Sequence, residues 1–452
     1  MKTIRFALTL LLGLLVLAAC EGPITSSEVT EGPIDAQLRQ SIARWGVIPI
    51  GPMPPGDTAL VELGRALFFD RILSGNRDIA CATCHDPENA LGDGLPLSVG
   101  TGGTGLGPAR TPGPGREFVH RGAPTLLNAG LGSFYLFWDG RLAGGPHGFR
   151  SDVGPALPPG LPNTLVAQAL LPVVNRREML GEPGDLDVFG NPNELARYGP
   201  GREPEVWDAI MRRLLDIPEY VTMFEAAFPG KPTSLFRFED AARALAAFQT
   251  HAFTRTRSPF DRYLDRDNAA LTPEQKRGAM LFFGDAQCGS CHGGPFLGGQ
   301  SFANVGVPQI GPGSTRQPPL DLGRAEVEEN DFYRFAFRVA PLRNVELTSP
   351  YMHNGAYSTL EAVVHHYDDV RTALTSYDVD EHAPTLAGLA HTDETTVSAV
   401  LATLDGRLHT PLDLTDEEER QLVAFLKSLT DPAARDLGAI TPERVPSGLP
   451  VR

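Results

Sequence analysis

Four of the five cysteines fall into two five-residue strings, Cys81-Ala-Thr-Cys84-His85 and Cys288-Gly-Ser-Cys291-His292. The spacing is that of covalent haem attachment: two thiols add to the haem vinyl groups, and the adjoining imidazole takes an axial position on iron. One such string arises by chance on the order of once in a thousand chains this poor in cysteine, so two copies set coincidence aside. A zinc ribbon needs its cysteine pairs close together, whereas these lie 204 positions apart (288 − 84). A thioredoxin-like redox pair predicts neither a second copy nor a histidine after both. The expectation is two covalently bound haems c, one held by Cys81, Cys84 and His85, the other by Cys288, Cys291 and His292.

The fifth cysteine explains the compartment. Lys2 and Arg5 precede an apolar run from Phe6 to Ala19, too short to span a bilayer comfortably. It ends in Leu17-Ala18-Ala19-Cys20, which reads as a lipoprotein signal over residues 1–20 with Cys20 as the lipidated first residue of the mature chain. An ordinary secretory signal with an incidental cysteine is the plainer alternative. Either way the chain is exported to the periplasm, and with the lipid it is anchored to a membrane, the outer membrane being favoured. Residues 21–37 read as a tether. The net charge of −16 becomes −18 once Lys2 and Arg5 leave with the signal (−16 − 2), which excludes nucleic acid and favours a basic or dipolar redox protein as partner.

Beyond the tether the pattern is helical, with much irregular chain, as 48 glycines and 40 prolines require. Asp57 caps an apolar-periodic run through Phe69; residues 92–116 read as a glycine-rich loop; residues 236–252 form an amphipathic helix. Thr272-Pro-Glu-Gln opens another helix with a capping box, and Thr415 opens a last one. Gly64-Arg-Ala-Leu-Phe-Phe precedes the first haem string and Gly278-Ala-Met-Leu-Phe-Phe the second, an echo that suggests duplication. No strong alternating strand pattern is present. The fold class expected is mainly α: two cytochrome c-like haem domains with long irregular loops, residues 38–257 and 258–452.

Several further strings carry a resemblance. They are Asp93-Gly-Leu-Pro-Leu-Ser-Val-Gly, Ala123-Pro-Thr-Leu-Leu-Asn-Ala, Phe137-Trp-Asp-Gly-Arg141, Gln168-Ala-Leu-Leu-Pro172, Glu178-Met179 and Ser258-Pro-Phe-Asp-Arg-Tyr, followed by Leu342-Arg-Asn-Val-Glu-Leu-Thr-Ser-Pro-Tyr-Met-His and Thr359-Leu-Glu-Ala-Val-Val. From about Leu63 to Thr430 the chain resembles the bacterial di-haem cytochrome c peroxidase family and its MauG-like branch. The resemblance implies a peroxidatic N-terminal haem and a six-coordinate C-terminal haem that stores an electron. It places Trp138 between them as an electron relay. It puts Gln168, Pro172 and Glu178 on the open haem face, where a carboxylate can move a proton between the oxygens of peroxide.

Three departures from the family pattern shape the expectation. Thr101 stands where ordinary members place a histidine that blocks the peroxidatic iron, so the His85 haem is expected to be open. His120, in an enlarged loop, is the one residue that would replace that ligand. Tyr367 occupies the position of the usual methionine at the second haem, nineteen residues after Thr348 (367 − 348), with His365 and His366 as neighbouring rivals. A phenolate ligand lowers the iron potential and favours the higher oxidation states. Finally, the family's interhaem calcium uses an Asn where this chain has Gly122, together with carbonyls of the Thr348–Pro350 segment. Calcium would here depend on carbonyls and water.

The reading that follows is a peroxidase-class oxidoreductase that takes hydrogen peroxide. Its electrons come from a small redox protein (a cytochrome c or cupredoxin) or from a side chain of a protein substrate. A non-catalytic dihaem electron-transfer cytochrome is the rival, and it predicts two closed irons and no reaction with peroxide.

Overall fold

A computed structural model describes residues 32–53, 56–132, 134–145, 148–314 and 316–451. The signal sequence, Cys20 and the tether as far as residue 31 lie outside the described residues. Order begins earlier than the expected Leu38. Helix α1 (Pro33–Arg44) starts with proline at its first position, and Asp35 in its first turn is buried against Lys276 at 2.7 Å.

Helix α2 (Thr58–Phe69) begins as expected, the Asp57 carboxylate accepting from the amides of Ala59 and Leu60 at 2.9 and 3.2 Å. It crosses α3 (Phe238–Phe253) so closely that a Cβ on Gly64 would lie 1.9 Å from the carbonyl oxygen of Ala244. The second half repeats the device. Helix α4 (Pro273–Phe283), with Thr272 and Gln275 in a reciprocal cap, crosses α6 (Asp416–Lys427), and a Cβ on Gly278 would lie 1.8 Å from the carbonyl oxygen of Gln421. Between them in sequence, α5 (Leu360–Asp368) is capped by Thr359. The Phe pair ending each motif helix then packs against its partner: Phe68 and Phe69 on Phe248 and Phe253, Phe282 and Phe283 on Phe260 and Phe425. Each fully buried ring contributes roughly 1.5–3 kcal/mol.

Two main apolar cores result, and the chain ends exchange between them. The sequence reading put residues 38–57 with the first unit and 258–452 with the second. In the structure Leu38, Ile42 and Val47 bury in the second core, while Ala434, Leu437, Val445 and Leu449 bury in the first. Polar contacts hold the C-terminal crossing: Ser447 donates to Asp70 at 2.6 Å, and Arg65 Nε donates to the Ile440 carbonyl at 2.8 Å.

The class is mainly α, with strands of only two to four residues among the described residues. A sheet of three strands, β1 (Tyr135–Leu136), β2 (Leu142–Gly145) and β3 (Gly148–Arg150), is antiparallel in the order 1-2-3. Its β1–β2 connection is Phe137-Trp-Asp-Gly-Arg141, so the sheet serves to present Trp138 and Arg141. No helix of the described residues is long and apolar enough to cross a membrane.

Candidate active site

Both haem strings line one predominantly apolar cavity of about 710 Å³. Cys81–Cys84 forms a single helical turn and Cys288–Ser290 a tighter one. In each case the histidine that follows is held the same way. The Nδ1 of His85 lies 3.0 Å from the Leu91 carbonyl oxygen, and that of His292 lies 3.1 Å from the Leu297 carbonyl oxygen. A carbonyl only accepts, so Nδ1 carries the proton in both and Nε2 keeps its lone pair for a metal. Leu91 and Leu297 reach this geometry with φ of +63° and +56°, a left-handed conformation that non-glycine residues adopt only under local constraint. Burial pushes both imidazoles down to about 4, which keeps them neutral and fit to ligate.

Glu178, Gln168 and Pro172 all line the cavity, with Glu178 close enough to the first haem string to act on Cys84. Glu178 sits in a one-turn bulge, Arg176–Leu180, capped by Asn175. Asn175 Nδ2 donates to Glu178 Oε1 at 2.8 Å, and Arg141 Nη2 stands 3.9 Å from the same oxygen. Burial raises the Glu178 carboxyl above its ordinary range, with Arg141 opposing and Asp152 adding to the rise. The 98–101 segment packs against this bulge. A Cβ on Gly100 would lie 1.8 Å from the Arg177 carbonyl oxygen, and the Thr101 amide donates to the Glu178 carbonyl at 2.8 Å. The Thr101 hydroxyl donates to Asp78 at 2.7 Å, and Thr101 is not among the residues lining the cavity.

Trp138 lines the cavity, its Nε1–H donating to the Gly122 carbonyl at 2.9 Å. Beside it a buried ionic cluster joins the two halves. Arg121 makes a bidentate pair with Asp321 (2.7 and 2.8 Å) and a second pair with Asp139 at 2.5 Å. Burial alone would raise both carboxyls, but Arg121 more than offsets it and holds Asp321 at about 2 and Asp139 lower still. His120 lies in the field of this cluster, where burial and Arg121 lower it to about 4.

On the His292 side Tyr367 lines the cavity, and burial raises its phenol with smaller contributions from Cys291 and Cys288. Its two rivals point elsewhere. His365 is exposed and pairs with Glu419 at 3.0 Å; His366 has both ring nitrogens engaged, by Tyr357 and by the Val305 carbonyl.

The family model for di-haem cytochrome c peroxidase matches residues 58–269. The cytochrome c551 peroxidase of Pseudomonas aeruginosa is 34% identical over 305 residues, which cover 67% of this chain and 70% of that one. The chain belongs to the di-haem cytochrome c peroxidase family. It is also similar to the methylamine utilization protein MauG of Methylorubrum extorquens, 28% identical over 434 residues and 95% of each chain. Among solved structures, a MauG-like protein associated with microbial copper homeostasis is similar, with a TM-score of 0.59, 26% identity, and coverage of 89% of this chain and 98% of that one.

As a di-haem cytochrome c peroxidase the protein is an enzyme of peroxidase-type redox chemistry with two c-type haems, and the pure electron-carrier alternative falls away. The residues fit those groups. The four thiols are unpaired, each histidine offers Nε2, and Arg338 brings a guanidinium to the cavity wall, suited to a propionate. Burial lowers Arg338 to about 10, with Asp139 opposing, so it stays charged. Calcium fits less well. Thr348 and Pro350 line the cavity, but Gly122 has no side-chain oxygen, its carbonyl accepts from Trp138, and a Cβ there would lie 2.9 Å from the Pro96 carbonyl oxygen.

Four residues of this di-haem peroxidase's site escaped the sequence reading. Asn175 lies three positions before Glu178, a capping spacing that was legible. Asp321 and Arg338 act across the junction and leave no local signal. Trp45 is the fourth: its indole donates to the Phe283 carbonyl at 2.8 Å and covers the second haem string, where a Cβ on Gly289 would lie 2.6 Å from the ring.

Proposed function

We propose that this enzyme reduces hydrogen peroxide at the His85 side of the cavity. Trp138 then shares oxidising equivalents with the His292/Tyr367 side, and a protein partner supplies the electrons. That partner is a small redox protein or an oxidisable side chain of a protein substrate. Bound haem supplies an iron that accepts a peroxide oxygen and stores oxidising equivalents.

The observation that carries this reading is the setting of Glu178. Cleaving the O–O bond requires a proton to leave the inner oxygen and reach the outer one. Asn175 and Arg141 engage Oε1, which leaves Oε2 as the atom that takes and returns that proton. Gln168 orients peroxide by hydrogen bonding, and Pro172 narrows the pocket. Thr101, turned to Asp78, offers no ligand to the iron held by His85. Tyr367 is the ligand on the other side, supported by its place on the cavity wall and by the engagement of both nitrogens of His366. Trp138 donates its N–H to a carbonyl, which cannot accept a proton, so it relays charge without retaining it. Export to the periplasm with Cys20 lipidated completes the reading; calcium enters no step.

Steady-state oxidation of a reduced small cytochrome c by peroxide tests it. Turnover that Glu178→Gln removes, with both haems still attached, is the expected result. Peroxide-dependent turnover unchanged in Glu178→Gln overturns the assignment.

A further inference from the structure

Behind Tyr367 the cavity wall continues into an aromatic cluster that the reaction above does not use. Tyr357 is 3% exposed and His366 1% exposed. His366 Nε2 lies 2.8 Å from the Val305 carbonyl oxygen, and its Nδ1 lies 2.8 Å from the Tyr357 hydroxyl. The carbonyl can only accept, so Nε2 bears the proton and Nδ1 is a bare lone pair; the Tyr357 phenol therefore donates to it. A buried phenol is thus paired with a base placed to receive its proton.

This pairing separates Tyr357 from the aromatic residues around it. Trp138 and Tyr377 donate to carbonyls, at 2.9 and 2.6 Å, and a carbonyl cannot take a proton when its donor is oxidised. The position also connects inside to outside. Ring centroids lie 5.4 Å apart for Tyr367 and His366, 5.2 Å for His366 and Tyr357, and 5.6 Å for Tyr357 and Tyr377. Half-buried His382 stands 5.3 Å from Tyr377, at the rim of the molecule.

We propose that Tyr357 is a redox-active tyrosine through which the oxidising power of this enzyme reaches a protein partner. A peroxide-derived one-electron oxidising equivalent removes an electron from the phenol as its proton passes to His366 Nδ1. This leaves a neutral tyrosyl radical hydrogen-bonded to an imidazolium. When a partner's electron enters by way of Tyr377, the proton returns from His366 and the phenol is restored. The proposal rests on the reading of peroxide chemistry and of Tyr367 given above.

Electron paramagnetic resonance of the freeze-quenched holoenzyme tests it, after one equivalent of peroxide and separately after photo-oxidation by a ruthenium tris-bipyridyl complex with persulfate. A free-radical signal that narrows with ring-deuterated tyrosine is expected, lost in Tyr357→Phe and retained in Tyr377→Phe. His366→Gln, whose amide accepts the hydrogen bond but cannot hold the proton, is expected to lose the signal while keeping the haem spectrum. Tyr377→Phe is expected to slow quenching of the radical by reduced cytochrome c. A Tyr357 radical from the photo-oxidant but not from peroxide supports this assignment and counts against the peroxide reading. A tyrosyl signal unchanged in Tyr357→Phe, or none with either oxidant, overturns the assignment.

Discussion

Glu178 and Tyr367 line the same cavity, and the proposed function puts opposite demands on them, one to exchange a proton and the other to hold a metal. Replacing Glu178 by Gln is expected to slow reaction with peroxide by roughly 10²–10⁴-fold, the usual worth of a positioned proton-transfer group, measured by stopped-flow absorbance. The pH dependence has a definite sign. Burial raises the Glu178 carboxyl, so the basic form is lost as pH falls through a value above the ordinary carboxylate range. Wild-type rates should fall on that acid limb, and the limb should vanish in Glu178→Gln. Residues of this kind were unevenly legible. Cys81–His85 and Cys288–His292 encode their chemistry in spacing alone. Glu178 needed its neighbouring strings, and the Asn175 and Arg141 contacts that orient it depend on a bulge and a sheet connection with no periodic signature.

At the scale of elements, each haem string hangs from a helix that crosses its partner through a glycine. Gly64→Ala and Gly278→Ala would each drive a methyl group into a backbone carbonyl, at 1.9 and 1.8 Å, which the partner helix cannot yield without shifting. A loss of about 1–3 kcal/mol or more is expected from such overpacking, read from thermal or denaturant unfolding. The repeated Gly-x-x-Leu-Phe-Phe was visible as an echo of the chain with itself. Its reason was not, because the residue that forbids a side chain lies about 180 positions away at Ala244 and about 140 away at Gln421 (244 − 64 and 421 − 278). Helix starts were legible where a side chain caps within three residues, as at Asp57, Thr272 and Thr415. The start of α1 was missed because its buried acid, Asp35, is stabilised by Lys276 from the far half of the sequence.

Across the whole molecule the two halves are clamped by Arg121, whose guanidinium satisfies Asp321 from one half and Asp139 from the other. Arg121→Gln leaves Asp321 buried without its cation and Asp139 with Arg141 alone, 3.4 Å away, and is expected to cost about 3–5 kcal/mol in chemical denaturation at neutral pH. Because Arg121 holds both carboxyls below their unfolded values, their contribution is present above about pH 4 and is lost as pH falls toward about 2, where Asp321 is protonated. The variant should lack that loss and lie closest to wild type in acid. None of this junction was legible, since a charge network between residues 121, 139 and 321 leaves no trace in local pattern. The exchange of chain ends between cores was equally hidden. What the sequence did contain was the asymmetry on which the proposed function rests: Thr101 where the family resemblance implies a blocking histidine, and Tyr367 where it implies a methionine. The electron paramagnetic resonance spectrum of the as-isolated ferric protein tests that asymmetry most directly. One high-spin haem, lost on adding peroxide, and one low-spin haem, altered in Tyr367→Phe, are expected; two low-spin haems that ignore peroxide would contradict the account.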